Sequence, residues 1–307
     1  MRILLVTDTH GDLAIINQLL RETNAQACIH CGDFGFYDRQ SVHRLTNHEL
    51  RLRIRHSHLP KSVRKRSYKM SPDELRDTIE EAQLLNGLVP YLEGQQHFCA
   101  PVYAVWGNHE DGEVVRSLRA EPDRVPNLHL LDETNIVELG PLQLAGLGGN
   151  FYYEGEEGLL APEMTANGGR VRSSFVQLAR LFETWQAHPA ADGQRRVLVS
   201  HVSPGKVRLL ERLALQLGVE WVLSGHMGPP MTHAYSLFAM CEPDEVHTRA
   251  QGEHRQLGEA LETMAAEQKA ESYRLAKRVW EALDMAPLPA HQRGVRPPPQ
   301  SLSALYY

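Results

Sequence analysis

Five short apolar runs, each handing a polar set to whatever lies beyond its end, constrain this chain more than any other feature. The run from Ile3 leads into Asp8 and His10, and Ala25–Cys31 leads into Gly32-Asp33. Pro101–Trp106 delivers Gly107-Asn108-His109-Glu110, Arg196–Ser200 delivers His201, and Glu220–Ser224 delivers Gly225-His226. Runs of this length predict strands buried on both faces. In open α/β sheets, ligands gather beyond the carboxyl ends of such strands, and the interleaved glycines let the backbone turn tightly there. Asp8 and His10, two positions apart, can turn towards one metal ion, although turn chemistry alone accounts for that pair in isolation. All five sets in this order point to a metal site at the strand ends.

The spacing of the runs predicts a β-α-β opening, with Leu13, Ile16, Leu19 and Leu20 on one helix and Asp12 as its N-cap. Ser71-Pro72-Asp73-Glu74 predicts a capped helix running to about Glu93. Three apolar runs near 128–131, 136–139 and 142–147 read as short strands, and a Gly-rich, acidic stretch over 148–172 reads as a loop, a rim or a lid. Helices are expected around 173–187 and 205–217.

Residues 41–70 break this rhythm and read as an insertion, helical up to Arg55 and loop-like around Pro60. Between Arg51 and Lys69 lie eight Lys or Arg residues, Arg64-Lys65-Arg66 among them, and no acidic one. Such a run is either a solvated face or a contact surface for phosphate backbones. The net charge of -6 gives no overall pull towards nucleic acid. Beyond Met240 a helical period over 253–285 predicts a long amphipathic helix that packs on the core or mediates self-association. The Pro-rich tail, 286–307, reads as extended. The expected division is therefore a core domain over 1–245, a helical extension over 246–285, and the tail.

Four cysteines are too few to staple a chain of 307 residues. Cys28 and Cys31 have CxxC spacing, but on an apolar run unanswered by a second pair, so buried strand thiols are expected there. No apolar segment reaches the ~20 residues that span a bilayer, and a cytoplasmic location is expected.

The five sets resemble the pattern DxH…GD…GNH(D/E)…H…GHxH of the calcineurin-like metallophosphoesterase superfamily over residues 1 to about 240. That resemblance implies an α/β fold, a metallophosphoesterase-type β-sandwich flanked by helices, with a binuclear metal site at the strand ends. The three short strands over 128–147 would suit its second sheet. Asp8 and His10 would bind the first ion, Asp33 would bridge both, and Asn108, His201 and His226 would complete the second. His109 would be the general acid beside the scissile phosphate while hydroxide held by the metals attacks in line. The last motif departs from the pattern: Gly228 stands where the family has a histidine, so the first-metal site should be weak, and His233 is the nearest replacement in sequence. Carboxylate, imidazole and carboxamide donors suit two divalent ions, with Mn2+ favoured over Fe or Zn2+.

Within the superfamily, the protein-phosphatase motif GDxVDRG is not matched, because Asp38-Arg39 is displaced by two residues. The stretches Gly107–Glu110, Pro126-Asn127-Leu128 and Leu144–Gly149 are loosely similar to RNA lariat debranching enzymes, which lack the residue matching Asp8. The favoured expectation is a phosphodiesterase acting on a nucleotide or nucleic acid, with the basic 51–69 segment as its contact. The alternatives are a phosphomonoesterase for a small metabolite and a non-catalytic scaffold that keeps the fold.

Overall fold

Two four-stranded sheets carry the polar strand ends. The computed structural model describes residues 1–151, 155–203, 206–226, 243–264 and 270–283. Internal packing divides them into two units, one of Met1–Leu130 with Ala166–Val171, the other of Leu131–Thr165 with the described residues from Arg172 onward. The α/β class expected from the sequence is the one observed.

In the first unit the elements are β1 (Ile3–Val6), α1 (Ala14–Thr23), β2 (Ala27–Cys31), α2 (Ser41–Arg44), α3 (Asn47–Arg55), α4 (Lys61–Arg66), α5 (Pro72–Glu81), α6 (Val89–Leu92), β3 (Val102–Val105), α7 (Gly112–Ala120) and β4 (Leu128–Leu130). The sheet order is β1-β2-β3-β4, with every pairing parallel. β2 is buried at every position, as its unbroken apolar run requires. Helix α1 buries Ile16, Leu19 and Leu20. Its N-cap is Leu13, with no side-chain bond, so Asp12 does not have the capping role expected of it.

Residues 41–70 form a folded element. Leu50 and Ile54, one helical turn apart on α3, pack with Leu45, Met70, Leu75 and Ile79 in a core of their own. Truncating one such buried leucine or isoleucine to alanine costs about 2–5 kcal/mol. The loop expected around Pro60 is instead the start of α4, with Pro60 at its N-cap. The capping box of Ser71 and Glu74 forms as read. The helix it opens stops at Glu81 rather than near Glu93, because Gln83 turns left-handed (φ 52°) and the chain restarts as α6.

The second unit contains β5 (Val137–Leu139), β6 (Leu142–Leu147), β7 (Asn150–Phe151), α8 (Gly155–Leu160), α9 (Phe175–Ala187), β10 (Arg195–Ser200), α10 (Arg208–Gln216), β11 (Trp221–Ser224), α11 (Pro243–Thr263) and α12 (Glu271–Ala282). Strands β8 (Thr165–Asn167) and β9 (Arg170–Ser173) form a hairpin whose tip belongs to the first unit. Here the sheet order is β11-β10-β6-β5, parallel except for β5 against β6. Only two of the three strands expected over 128–147 join this sheet, since β4 pairs with β3 in the other. The stretch over 148–172 is likewise not one loop: it holds β7, α8, β8 and most of β9.

The period over 253–285 resolves into two helices, not one. Leu257 and Leu261 of α11, and Tyr273, Leu275, Ala276 and Val279 of α12, lie in the core of the second unit. The indole of Trp280 donates to the His254 carbonyl at 2.9 Å and stacks on its ring. Among the described residues no helix is long and apolar enough to cross a membrane. The tail from 286 lies outside the described residues.

Candidate metal centre

Beyond β1 and β2 the backbone ladder continues out of the sheet: Asp8 donates to the Gly32 carbonyl at 2.9 Å, and His10 donates to that of Asp33 at 2.8 Å. This brings Asp8, His10 and Asp33 together, each offering a ligand atom within 4.8 Å of the others. Such a spread suits donors around one divalent ion at about 2.1 Å from each. All three residues are left-handed, with φ of 55°, 50° and 50°. A side chain in that region costs roughly 1–2 kcal/mol, and strain of this kind gathers where function requires the geometry. Burial drives the His10 imidazole down to about 4, outweighing the pull of Asp33. It is thus neutral at neutral pH, the form that ligates a metal. The donor set therefore fits a cation.

Asp33 is tied to the β3 end. Its Oδ1 accepts the His109 amide at 2.9 Å. A Cβ on Gly107 would lie 2.0 Å from Asp33 Oδ1, so only glycine admits the carboxylate there. Glu110 fastens the same loop from below: its buried carboxylate takes the amides of Phe34, Phe36, Gly35 and Gly107 at 2.7, 2.7, 3.1 and 3.2 Å. Burial, helped by Asp33, raises the Glu110 carboxyl to about 8 against the pull of those amides. Asn108 is buried at the same turn, and its carbonyl accepts from Val171 at 3.1 Å.

His109 itself meets a residue from the insertion. Its Nδ1 lies 2.7 Å from Oε2 of Glu49, and Arg170 Nε lies 2.8 Å from the other carboxylate oxygen. Burial alone would lower the His109 imidazole, but the Glu49 hydrogen bond and the Asp33 and Glu49 charges together raise it. For Glu49, burial is overcome by His109 and Arg170, which hold its carboxyl below the usual range. Arg53, also from the insertion, donates to the His10 carbonyl and stacks on Tyr37, whose hydroxyl donates to the His109 carbonyl.

In the second unit, parallel pairing of Ser200 with Ser224 sets the next residues level. His201 Nε2 and His226 Nδ1 converge to 3.1 Å, with the rings edge to face. His226 is left-handed as well, at φ 55°, and Lys206 Nζ donates to its carbonyl at 3.1 Å. Two imidazole nitrogens so placed can share one ion. His233 and Gly228 lie outside the described residues. On α4, Lys65 and Arg66 are exposed and Arg64 is half-buried. Cys28 and Cys31 are buried on β2 as thiols outside any disulfide, as expected; burial raises both, Cys31 to about 12.

Glu49 and Arg170 were not among the residues singled out in the sequence. Thr46-x-x-Glu49 has the form of a capping box, in which the Glu side chain would return to its own N-cap. The Thr46 hydroxyl does accept the Glu49 amide, but the Thr46 amide is taken by the Gly168 carbonyl at 2.9 Å. That leaves the Glu49 carboxylate to His109 and Arg170.

Residues 1–230 match the family model for calcineurin-like phosphoesterases. No curated protein matches the chain. A solved crystal structure aligns over 75% of this chain and 86% of its own, at 12% identity and a TM-score of 0.45.

Proposed function

The chain belongs to the calcineurin-like phosphoesterase family, and on that premise we propose that this metal-dependent phosphoester hydrolase is a phosphodiesterase acting on a nucleotide or nucleic acid. Asp8, His10 and Asp33 would hold one divalent ion and Asn108, His201 and His226 a second, with Asp33 shared between them. When bound, the ions would polarise the phosphoryl oxygens and make a hydroxide nucleophile available near neutral pH. Their oxygen and nitrogen donors favour Mn2+.

The chain's own residues supply the rest. Strained turns at Asp8, His10 and Asp33 pre-set the donors, so that little reorganisation is left for binding. The Asp33 carboxylate is aimed by the His109 amide, while Glu110 secures the loop behind it. His109, whose imidazole Glu49 and Asp33 raise against its burial, gives its proton to the departing ester oxygen.

The preference for a polynucleotide rests on the outer face of the insertion. Arg55, Lys61, Lys65, Arg66 and Lys69 are exposed, as is Tyr68 at 62%, which lies under the Arg55 guanidinium. Cations neutralise backbone phosphates, and an exposed ring offers a base something to stack on. Charge reversal at Arg64, Lys65 and Arg66 should weaken binding of a single-stranded oligonucleotide, with a shallower salt dependence of the binding constant. Unchanged affinity and slope would reduce the face to a solvated surface.

A further inference from the structure

We propose that Glu49 is the positioning residue for His109, and that through it the insertion equips this site to expel unactivated alcohol leaving groups. The inference rests on the phosphoesterase reading above and concerns which esters that site can cleave.

Glu49 is 3% exposed, in a segment otherwise crowded with Lys and Arg. A buried carboxylate is costly unless both its oxygens are satisfied. Glu49 has the two partners it needs, and neither belongs to its own helix: Oε2 meets His109 Nδ1 at 2.7 Å, and Oε1 meets Arg170 Nε at 2.8 Å. Arg170 is fixed in turn. Its guanidinium lies 3.0 Å from His48 Nε2, and its backbone bridges to His109. The hairpin tip can come this close only because it is glycine: a Cβ on Gly169 would lie 3.0 Å from Glu49 Cγ and 2.5 Å from Leu45 Cδ2.

With Nδ1 occupied by a carboxylate, the ring is locked in one orientation and Nδ1 carries its proton. Nε2, on the opposite edge, is then the nitrogen offered to substrate. The step balances simply. Oxygen from water-derived hydroxide bonds to phosphorus as the bond to the leaving oxygen breaks, and that oxygen takes the Nε2 proton. Water then reprotonates His109. The strongly stabilised p-nitrophenolate leaves without this help, unsubstituted phenolate, a much more basic anion, needs it, and the alkoxide of a sugar hydroxyl needs it most. A site that holds its acid on a dedicated carboxylate is therefore built for esters of ordinary alcohols, the class to which the sugar hydroxyls of a nucleotide belong.

The test is steady-state turnover of p-nitrophenyl and unsubstituted phenyl esters of the same phosphate by Mn2+-loaded full-length protein, wild type against Glu49→Ala and Glu49→Gln. In Glu49→Ala the phenyl ester should lose about tenfold more turnover than the p-nitrophenyl ester, with metal content as in wild type. Glu49→Gln, which keeps an acceptor for Nδ1–H, should recover part of that difference. Arg170→Ala, at a side chain 43% exposed, should show the same bias to a smaller degree, and serves if Glu49→Ala does not fold. An equal loss on both esters, or no loss, would overturn the inference while leaving the phosphoesterase reading in place. A metal-loaded wild type inactive on both esters would overturn that reading and this inference with it.

Discussion

His10 and His109 stand with ring centroids 6.5 Å apart at one end of one sheet, and their surroundings push them in opposite directions. Burial takes His10 down to about 4, while Glu49 and Asp33 raise His109 in spite of its burial. On the proposed reading, two like groups driven apart in this way would divide the work between them, His10 as a ligand and His109 as the proton donor. His109→Ala should therefore lower turnover by about 10²–10⁴-fold while leaving the bound metal unchanged. Loss of metal together with activity would show that His109 is a ligand.

On the binuclear reading proposed above, the donor set of the first ion would be short by one. Asp8, His10 and Asp33 converge, but the family's further histidine is replaced by Gly228. The two ions should accordingly be held unequally. Elemental analysis after stepwise mild chelation should show one equivalent leaving well before the other. Simultaneous release would contradict unequal holding.

A group in the other unit, Glu211, adds its own contribution to stability against pH. Glu211 is buried on α10, 3.5 Å from Arg208, and burial lifts its carboxyl to about 7 even though Arg208 and Arg212 pull it down. An acid whose folded value is raised binds its proton more tightly in the folded state. Its effect on stability is thus neutral well below the ordinary carboxylate range and grows unfavourable as pH rises towards 7. The slope from one such group is at most about 1.4 kcal/mol per pH unit. Urea midpoints should fall between pH 5 and 7, about as the shift requires, and fall less in Glu211→Gln. Parallel curves for the two proteins would assign that pH dependence elsewhere.

The strand ends were legible because their cause is local. A parallel strand buried on both faces must be a short apolar run, and the residues that leave it are fixed by the chain itself. Asp8, Asp33, His109, His201 and His226 therefore stand where their runs predict. Partnership between strands was less legible: β4 looks like a neighbour of β5 and β6 in sequence, yet it pairs with β3. Glu49 escaped because its spacing from Thr46 already had a sufficient local explanation as a capping box. Only the approach of Gly168 to the Thr46 amide, across more than a hundred residues of sequence, frees that carboxylate for His109. Arg170 was hidden for the same reason, in a stretch with no periodicity to mark it.

The phosphodiesterase reading is tested most directly by Mn2+-dependent hydrolysis of a chromogenic phosphodiester beside the corresponding monoester, each with a chelated control. Faster metal-dependent turnover of the diester is the predicted result. Faster turnover of the monoester would contradict it and make the enzyme a phosphomonoesterase, and no turnover of either with metal bound would leave a scaffold that keeps the fold.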